Sequence, residues 1–123
     1  MATIQKLTKA EEEIMHYFWT IGPSTVSAII DKMEQPHPPH STISSIVRIL
    51  ESKGFLDHKT YGRTYEYFPL IDKKEYSKFS IRKLVSNYFE GSMNELVSFL
   101  VKEQHVNVDE LTQLINRLED ENE

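Results

Sequence analysis

Residues 41–70 read STISSIVRILESKGFLDHKTYGRTYEYFPL and combine a helical pattern with a strand pattern. Its first half predicts a helix, because apolar side chains recur at the i, i+3, i+4, i+7 spacing of one helical face. The opposite face carries short polar side chains. A helix that only faces water usually carries Glu and Lys at i, i+4 spacing, so this face indicates close contact with a partner. The apolar residues are Ile43, Ile46, Val47 and Leu50.

The second half of the stretch predicts a two-stranded ribbon. After Gly54, two runs of alternating residues flank the turn YGRT at residues 61–64. Period-two alternation on both sides of a Gly-containing turn is typical of a β-hairpin. The ribbon therefore follows the helix directly. Lys59 and Arg63 are the basic residues nearest its tip.

A first helix is predicted well before this stretch. It begins at the capping box Thr8-x-x-Glu11 and ends at Gly22, which is followed by a proline. Residues at each end of this helix therefore fix where it begins and ends. Its predicted buried stripe is Ala10, Ile14, Tyr17, Phe18 and Ile21.

A second, short helix is predicted after the capping residues Ser24 and Thr25. The linker EQPHPPH at residues 34–40 cannot be helical because it contains three prolines. Two helices, a breaker and a polar-faced helix make a helix-turn-helix, and the ribbon behind them adds a wing. We therefore predict a winged helix-turn-helix domain over residues 1–71, with the third helix in the recognition position.

A winged helix with these side chains predicts DNA binding. Small hydrogen-bonding groups let the third helix enter the major groove, and basic groups on the wing can reach a phosphate ridge or the minor groove. The predicted partner is a double-stranded DNA operator. The residues predicted to contact it are Ser41, Thr42, Ser44, Ser45, Arg48, Lys59 and Arg63.

The net charge of −5 is unevenly spread along the chain. Residues 1–71 hold 7 Lys and Arg against 8 Asp and Glu, whereas residues 72–123 hold 7 against 11. Most of the excess negative charge therefore lies outside the predicted DNA-binding domain. A nearly neutral domain makes few phosphate contacts, which predicts that two copies must act together to bind DNA well.

Residues 72–123 predict three amphipathic helices and a short acidic tail. Three helices in about fifty residues do not close a large core by themselves. We therefore expect this part to be a helical dimerisation domain, in which two copies of the chain bury their apolar stripes as a homodimer. The predicted dimerisation residues are Ile81, Leu84, Val85, Tyr88, Leu96, Val97, Leu100, Leu111, Leu114, Ile115 and Leu118.

Composition and motifs argue against other classes of protein. The chain has no Cys, which excludes disulfides and thiol catalysis. No apolar run approaches the roughly 20 residues of a membrane span, so we expect a cytoplasmic protein without membrane insertion. Five scattered His residues accompany no nucleophile elbow or Gly-rich phosphate loop. We therefore expect no catalytic residues, no cofactor and no metal site.

With these elements in place, the chain resembles the BlaI/MecI/CopY family of bacterial winged-helix transcriptional repressors, of the penicillinase and methicillin-resistance type. The resemblance covers nearly all of residues 7–118. It rests on LTKAEEEIMHYFW, STISSIVRILESKGFLDHK, YGRTYEYFPLI and GSMNELVSFLVKE. It implies a repressor that binds a pseudo-palindromic operator as a homodimer, with the C-terminal helices holding the two copies together.

The resemblance also implies derepression through disruption of those helices. In the beta-lactam branch of the family, a membrane sensor-protease system signals, and the repressor is cut inside its dimerisation helices at an Asn-Phe bond. The matching positions here, and hence the candidate cleavage site, are Phe99 and Leu100. The copper branch uses a C-terminal Cys motif, which this chain lacks.

One alternative is a winged-helix protein-interaction module without specific DNA binding, because a fold alone does not establish a function. A protein-docking face usually presents an aromatic or aliphatic anchor. The third helix instead presents serines, a threonine and an arginine. Its polar, acid-poor face therefore favours DNA as the partner.

Overall fold

The computed structural model describes residues 4–103 and 107–121, and for residues 114, 115 and 118–121 it describes the backbone alone. Within these ranges three helices, a two-stranded hairpin and three further helices follow one another. This confirms the prediction of a mainly α chain with a small β-hairpin. The elements are α1 (Lys9–Ile21), α2 (Val26–Asp31), α3 (His40–Ser52), β1 (Leu56–Tyr61), β2 (Thr64–Pro69), α4 (Lys73–Tyr88), α5 (Met93–Glu103) and α6 (Val108–Glu121).

The two ends of α1 are those that its sequence predicts. The Oγ1 of Thr8 accepts a hydrogen bond from the N–H of Glu11 at 3.2 Å, and Glu11 accepts one from the N–H of Thr8 at 2.9 Å. Gly22 has a φ of 89°, in the left-handed region that favours glycine, and its N–H donates to the carbonyl of Phe18. The capping box and the glycine stop are therefore confirmed.

The buried face of α1 differs from its predicted stripe. Ile14 and Phe18 are buried as expected, but the prediction is wrong at Ala10 and Ile21, which are exposed. Glu11 is buried instead, with 5% of its surface exposed. An apolar pattern alone ranks a carboxylate as a surface residue, because it does not show that a cation from elsewhere in the chain reaches it.

That cation is Lys53, which follows α3. Its Nζ donates to Oε1 of Glu11 at 2.6 Å, so the pair ties the start of α1 to the end of α3. Burial alone would raise the pKa of Glu11, but the hydrogen bonds from Lys53 and Thr8 and the charge of Lys53 outweigh it. The pKa of this carboxyl therefore lies below its ordinary value of 4.5.

We expect Glu11→Gln to lower the free energy of unfolding at pH 7 by about 1–2 kcal/mol, since it removes a charge-assisted hydrogen bond. A depressed pKa contributes stability that is fully present above pH 4.5 and is lost as the pH falls through the lower folded value. Urea unfolding of both proteins at several pH values should therefore show the difference shrinking in acid. Glu13→Gln, at an exposed site on the same helix, is the control. A difference that persists unchanged at pH 3 would contradict this account.

The core of the first part of the chain lies between α1, α2, α3 and the hairpin. From α3, the predicted residues Ile43, Val47 and Leu50 are buried, and Ile46 is half-buried. The predicted stripe of this helix is therefore confirmed, and its polar face must lie outward. The buried core residues are Leu7, Ile14, Met15, Phe18, Ile29, Ile43, Val47, Leu50, Phe55, Leu56, Tyr67 and Tyr76.

The hairpin is tight and is anchored to the helices. Its strands pair antiparallel along their full length and leave a loop of two residues, Gly62 and Arg63. Gly62 has a φ of 61°, and glycine at the first position of a two-residue loop is the preference of a type II′ turn. Ser24, just before α2, exchanges two backbone hydrogen bonds with Tyr67 of β2, at 2.8 and 2.9 Å. This bridge fixes the hairpin beside the start of α2.

The first compact unit of the chain ends at Ser80, within α4. Tyr76 is buried, and its hydroxyl accepts a hydrogen bond from the backbone N–H of Leu7 at 2.9 Å. Its ring lies 5.5 Å from that of Phe55, and Phe79 packs against the same core. Residues 72–80 therefore belong to this core. Whether residues 1–71 and 72–123 act as separate DNA-binding and dimerisation domains stays a prediction.

The second unit begins at Ile81 and contains the rest of α4 together with α5 and α6. Glu90 and Gly91 both have positive φ, at 51° and 80°, and turn the chain between α4 and α5. The rings of Phe89 and Phe99 lie 5.5 Å apart. Within residues 4–103 and 107–121, no helix is both long enough and apolar enough to span a bilayer.

Candidate nucleic-acid interface

The polar face of α3 is open to solvent. Ser41, Thr42, Ser45 and Arg48 are exposed, and Ser44 is half-buried. The Oγ of Ser45 donates to the carbonyl of Ser41 at 3.0 Å, and the Nε of Arg48 donates to the carbonyl of Ser44 at 3.4 Å. These partners belong to the helix itself. The side chains can therefore exchange them for base edges or phosphates without leaving a buried group unsatisfied.

An open cleft of about 380 Å³ lies where α3, the start of α2 and the hairpin meet. Ser44 and Arg48 line it from α3, and Arg63 lines it from the hairpin loop. None of the described residues that line it is acidic. Two guanidinium groups from different elements, among several hydroxyls, suit the negatively charged oxygens of a DNA backbone. The lining residues are Thr25, Val26, Ser27, His40, Ser44, Arg48, Arg63, Thr64, Tyr65 and Tyr67.

Two tyrosines of β2 line the cleft, Tyr67 buried and Tyr65 exposed. Burial raises the pKa of Tyr67 above 10.0, and the negative charge of Glu51 raises it further, outweighing the opposite effect of Arg48. Both effects favour the protonated form of the Tyr67 hydroxyl. Tyr65 is 49% exposed, and its ring lies 6.3 Å from that of Tyr67.

Lys59 lies apart from the cleft. It pairs with Glu66 across the hairpin, and side chains alternate along a strand, so it lies on the other face from Tyr65 and Tyr67. Its Nζ is 5.8 Å from the centre of the Phe68 ring. Of the predicted DNA contacts, the structure thus brings Ser44, Arg48 and Arg63 into one cleft. The predicted contacts that do not line it are Ser41, Thr42, Ser45 and Lys59.

Several cleft residues were not among the predicted contacts. Tyr65 could have been found, because the period-two alternation of β2 places it on the same face as Tyr67. His40 begins α3 and its Nδ1 lies 3.2 Å from the Oγ of Ser44. Thr25 and Ser27 reach the cleft through the packing of α2 beside α3. No local sequence pattern encodes that placement.

The predicted dimerisation residues differ in exposure. On α4, Ile81, Leu84 and Tyr88 are exposed, at 50%, 43% and 76%, and are free to meet a partner. Val85 is already buried within the single chain. The half-buried members are Leu96, Val97, Leu100 and Leu111. The side chains outside the described part of the chain are those of Leu114, Ile115 and Leu118.

Solved structures that resemble this one come from a repressor. The solution structure of the DNA-binding domain of the repressor BlaI matches with a TM-score of 0.54 at 28% identity, and covers 62% of this chain and 94% of that chain. The solution structure of monomeric Bacillus licheniformis BlaI in complex with the blaP half-operator matches with a TM-score of 0.51 at 28% identity and the same coverage. These matches confirm the predicted winged-helix fold.

Sequence relatives match over nearly the full length. The methicillin resistance regulatory protein MecI of Staphylococcus aureus (strain N315) is 25% identical over 114 residues, which is 92% of this chain and 93% of that protein. The penicillinase repressor of Bacillus licheniformis is 24% identical over 121 residues, 98% of this chain and 94% of that protein. The family model described as penicillinase repressor matches residues 7–120. The resemblance seen in the sequence is confirmed, and this chain belongs to the penicillinase repressor family.

Proposed function

We propose that this chain is a transcriptional repressor that binds operator DNA through α3 and the hairpin. The observation that carries the proposal is the acid-free cleft in which Arg48 of α3 lies with Arg63 of the hairpin loop. The relatives support it, because they are named as regulators and a repressor, and one of the similar structures is bound to a half-operator.

In this proposal α3 lies in the major groove with its small side chains toward the bases. Ser45 lies one turn beyond Ser41 on the exposed face, and such hydroxyls can both donate to and accept from base edges. Arg48 and Arg63 lie in the cleft beside this face and contact the sugar-phosphate backbone. Backbone contacts set the register of the protein on the duplex, and base contacts set its sequence preference.

We expect Arg48→Ala and Arg63→Ala to weaken binding to all DNA sequences about equally. Each should also reduce the slope of log affinity against log salt by about 0.9, the value for one lost phosphate contact. Fluorescence anisotropy with operator and random duplexes at several salt concentrations measures both effects. Arg82→Ala, at an exposed site in the second unit, is the matched control and should leave the slope unchanged. A changed base preference with an unchanged slope would make either residue a base contact instead.

We also infer that the chain acts as a homodimer on a pseudo-palindromic operator. The exposed residues Ile81, Leu84 and Tyr88 on α4 support this, because large apolar side chains in solvent are stabilised by burial against a second copy. Two-fold symmetry of the protein matches two-fold symmetry of the DNA site. Binding two half-sites at once compensates for the few basic residues that one copy offers each half-site.

Cleavage between Phe99 and Leu100 is the proposed way in which repression ends. Both residues lie inside α5, and Phe99 is 43% exposed. A protease needs an extended segment, so α5 must open locally before the cut. In the proposal a membrane sensor-protease system makes this cut.

Intact-mass measurement of the protein from cells with and without a cell-wall antibiotic tests this: the treated sample should contain a fragment that ends at residue 99. A fully intact chain in derepressed cells would contradict it.

Footprinting of the purified protein on the DNA upstream of its own coding sequence tests the proposed function. The expected result is a protected region that contains two inverted half-sites. The opposite result is uniform, weak protection that disappears on adding competitor DNA. That result would favour the alternative of a winged-helix protein-interaction module.

A further inference from the structure

A cluster of potential metal ligands lies where the recognition helix ends and the hairpin begins. Glu51 lies in the last turn of α3, and Asp57 and His58 lie near the start of β1. A carboxylate oxygen of each acid and a ring nitrogen of His58 all lie within 4.8 Å of one another. The cluster therefore joins the two elements that carry the proposed DNA contacts.

The histidine ring is held in place from several sides. Its Nδ1 contacts the Oε2 of Glu51, and the two side chains are each 29% exposed. The ring stacks on Tyr65 with a centroid distance of 4.4 Å and lies 5.5 Å from the ring of Tyr67. Asp57 Oδ1 accepts the backbone N–H of His58 at 2.8 Å, which keeps that carboxylate near the ring. The ligand atoms are thus close together before any ion binds.

We propose that Glu51, Asp57 and His58 bind one first-row divalent transition-metal ion such as Zn²⁺. An imidazole nitrogen with two carboxylate oxygens suits such an ion, which binds these atoms at about 2.0–2.2 Å. Neighbouring ligand atoms around a tetrahedral ion at these distances are about 3.4 Å apart, so side-chain rotations must bring the three ligand atoms closer together than their present 4.8 Å limit. Water fills the remaining coordination positions.

A second His–Glu pair in the chain shows why the third ligand matters. His16 and Glu12 on α1 are 3.7 Å apart, and both side chains are nearly half exposed. That pair has one carboxylate for one imidazole. The cluster at the hairpin has two carboxylates for one imidazole, so it carries excess negative charge, which a dication offsets. His16 therefore provides a matched control for His58.

An ion in this cluster ties the end of the recognition helix to the hairpin. Part of the inference rests on the proposed function: in a DNA-binding protein, such a tie holds Arg48 and Arg63 in the spacing that the backbone needs. Zn²⁺ should then raise the affinity for DNA several-fold, and it should not do so in His58→Gln.

Isothermal titration of the full-length, untagged protein with Zn²⁺ tests the site without DNA. We expect one saturable site per chain and no competition from Mg²⁺ or Ca²⁺, which prefer all-oxygen sites. Zn²⁺ binding should be at least about 10-fold weaker in each of three variants, His58→Gln, Glu51→Gln and Asp57→Asn. It should be unchanged in His16→Gln. Asp57 is exposed, and an asparagine there can still accept the N–H of His58, so that variant keeps its fold.

The proposed metal site is contradicted if Zn²⁺ shows no saturable binding to the parent protein. It is also contradicted if Asp57→Asn and His58→Gln bind Zn²⁺ as the parent does, or if His16→Gln abolishes Zn²⁺ binding. A thermal midpoint that Zn²⁺ raises in the parent and not in Asp57→Asn supports it independently. If titration shows the site but Zn²⁺ leaves DNA affinity unchanged, the coupling to DNA is overturned and the metal site stands. If the protein binds no DNA at all, the proposed function fails and the titration still decides the site.

Discussion

Ser45→Glu should abolish specific operator binding and leave the fold intact. Ser45 is exposed in the middle of the polar face of α3, and its Oγ bonds only to a carbonyl of its own helix. The new carboxylate would enter the groove between two rows of phosphates. Like charges brought together in a binding site cost several kcal/mol, so we expect a loss on the order of 100-fold or more.

The control for this variant is Ser77→Glu, which makes the same charge change at an exposed helical serine of α4. It should bind operator as the parent protein does, apart from a small uniform loss. Circular dichroism and urea unfolding should be the same for all three proteins. If Ser45→Glu binds within about threefold of Ser77→Glu, α3 does not enter the groove with this face, and the assignment of the interface is wrong.

A chain that ends at Ser80 should be monomeric and should bind the operator on the order of 100-fold more weakly than the full chain. It keeps α1, α2, α3 and the hairpin, but it lacks Ile81, Leu84 and Tyr88, whose exposed apolar surface supports the dimer proposal. Without the dimer, each half-site contact forms separately, and the gain in effective concentration is lost. Sedimentation measures the mass, and a gel-shift titration measures the affinity.

The shortened chain ends at Ser80, and not at residue 71, so that its core stays complete. A chain of residues 1–71 would lose Tyr76 and Phe79, and with Tyr76 the partner of the Leu7 N–H. Losing such a buried aromatic side chain costs about 3–5 kcal/mol, so weak binding by residues 1–71 could reflect unfolding. Residues 1–80 avoid this ambiguity, and their affinity for a single half-site should equal that of the full chain. A dimer formed by residues 1–80 would place the dimer contact in the winged helix and remove the reason for cutting at Phe99.

Sequence patterns predict those parts of the fold that depend only on residues close together in the chain. The capping box of Thr8 and Glu11 and the turn at Gly62 are decided by neighbours in sequence, and they appear as predicted. The polar face of α3 could be predicted because its opposite, apolar stripe is unambiguous. The register of the hairpin follows from the alternation on either side of a short turn.

Features that depend on distant residues could not be read from these patterns. Glu11 is buried because Lys53, 42 positions away, reaches it. Residues 72–80 belong to the first core because the hydroxyl of Tyr76 meets the backbone of Leu7. The cleft includes Thr25 because α2 packs beside α3. In each case tertiary contact, and not local propensity, decides where the residue lies.

Two copies of this chain should read a symmetric DNA site through α3. Selection of bound sequences from a pool of random duplexes by the full-length protein measures this preference. The selected sequences should be enriched in a pair of inverted half-sites whose centres lie about one helical turn of 10–10.5 bp, or a multiple of it, apart. Recovery of unenriched sequence, or of a single motif without an inverted partner, would show that the chain does not read a symmetric site.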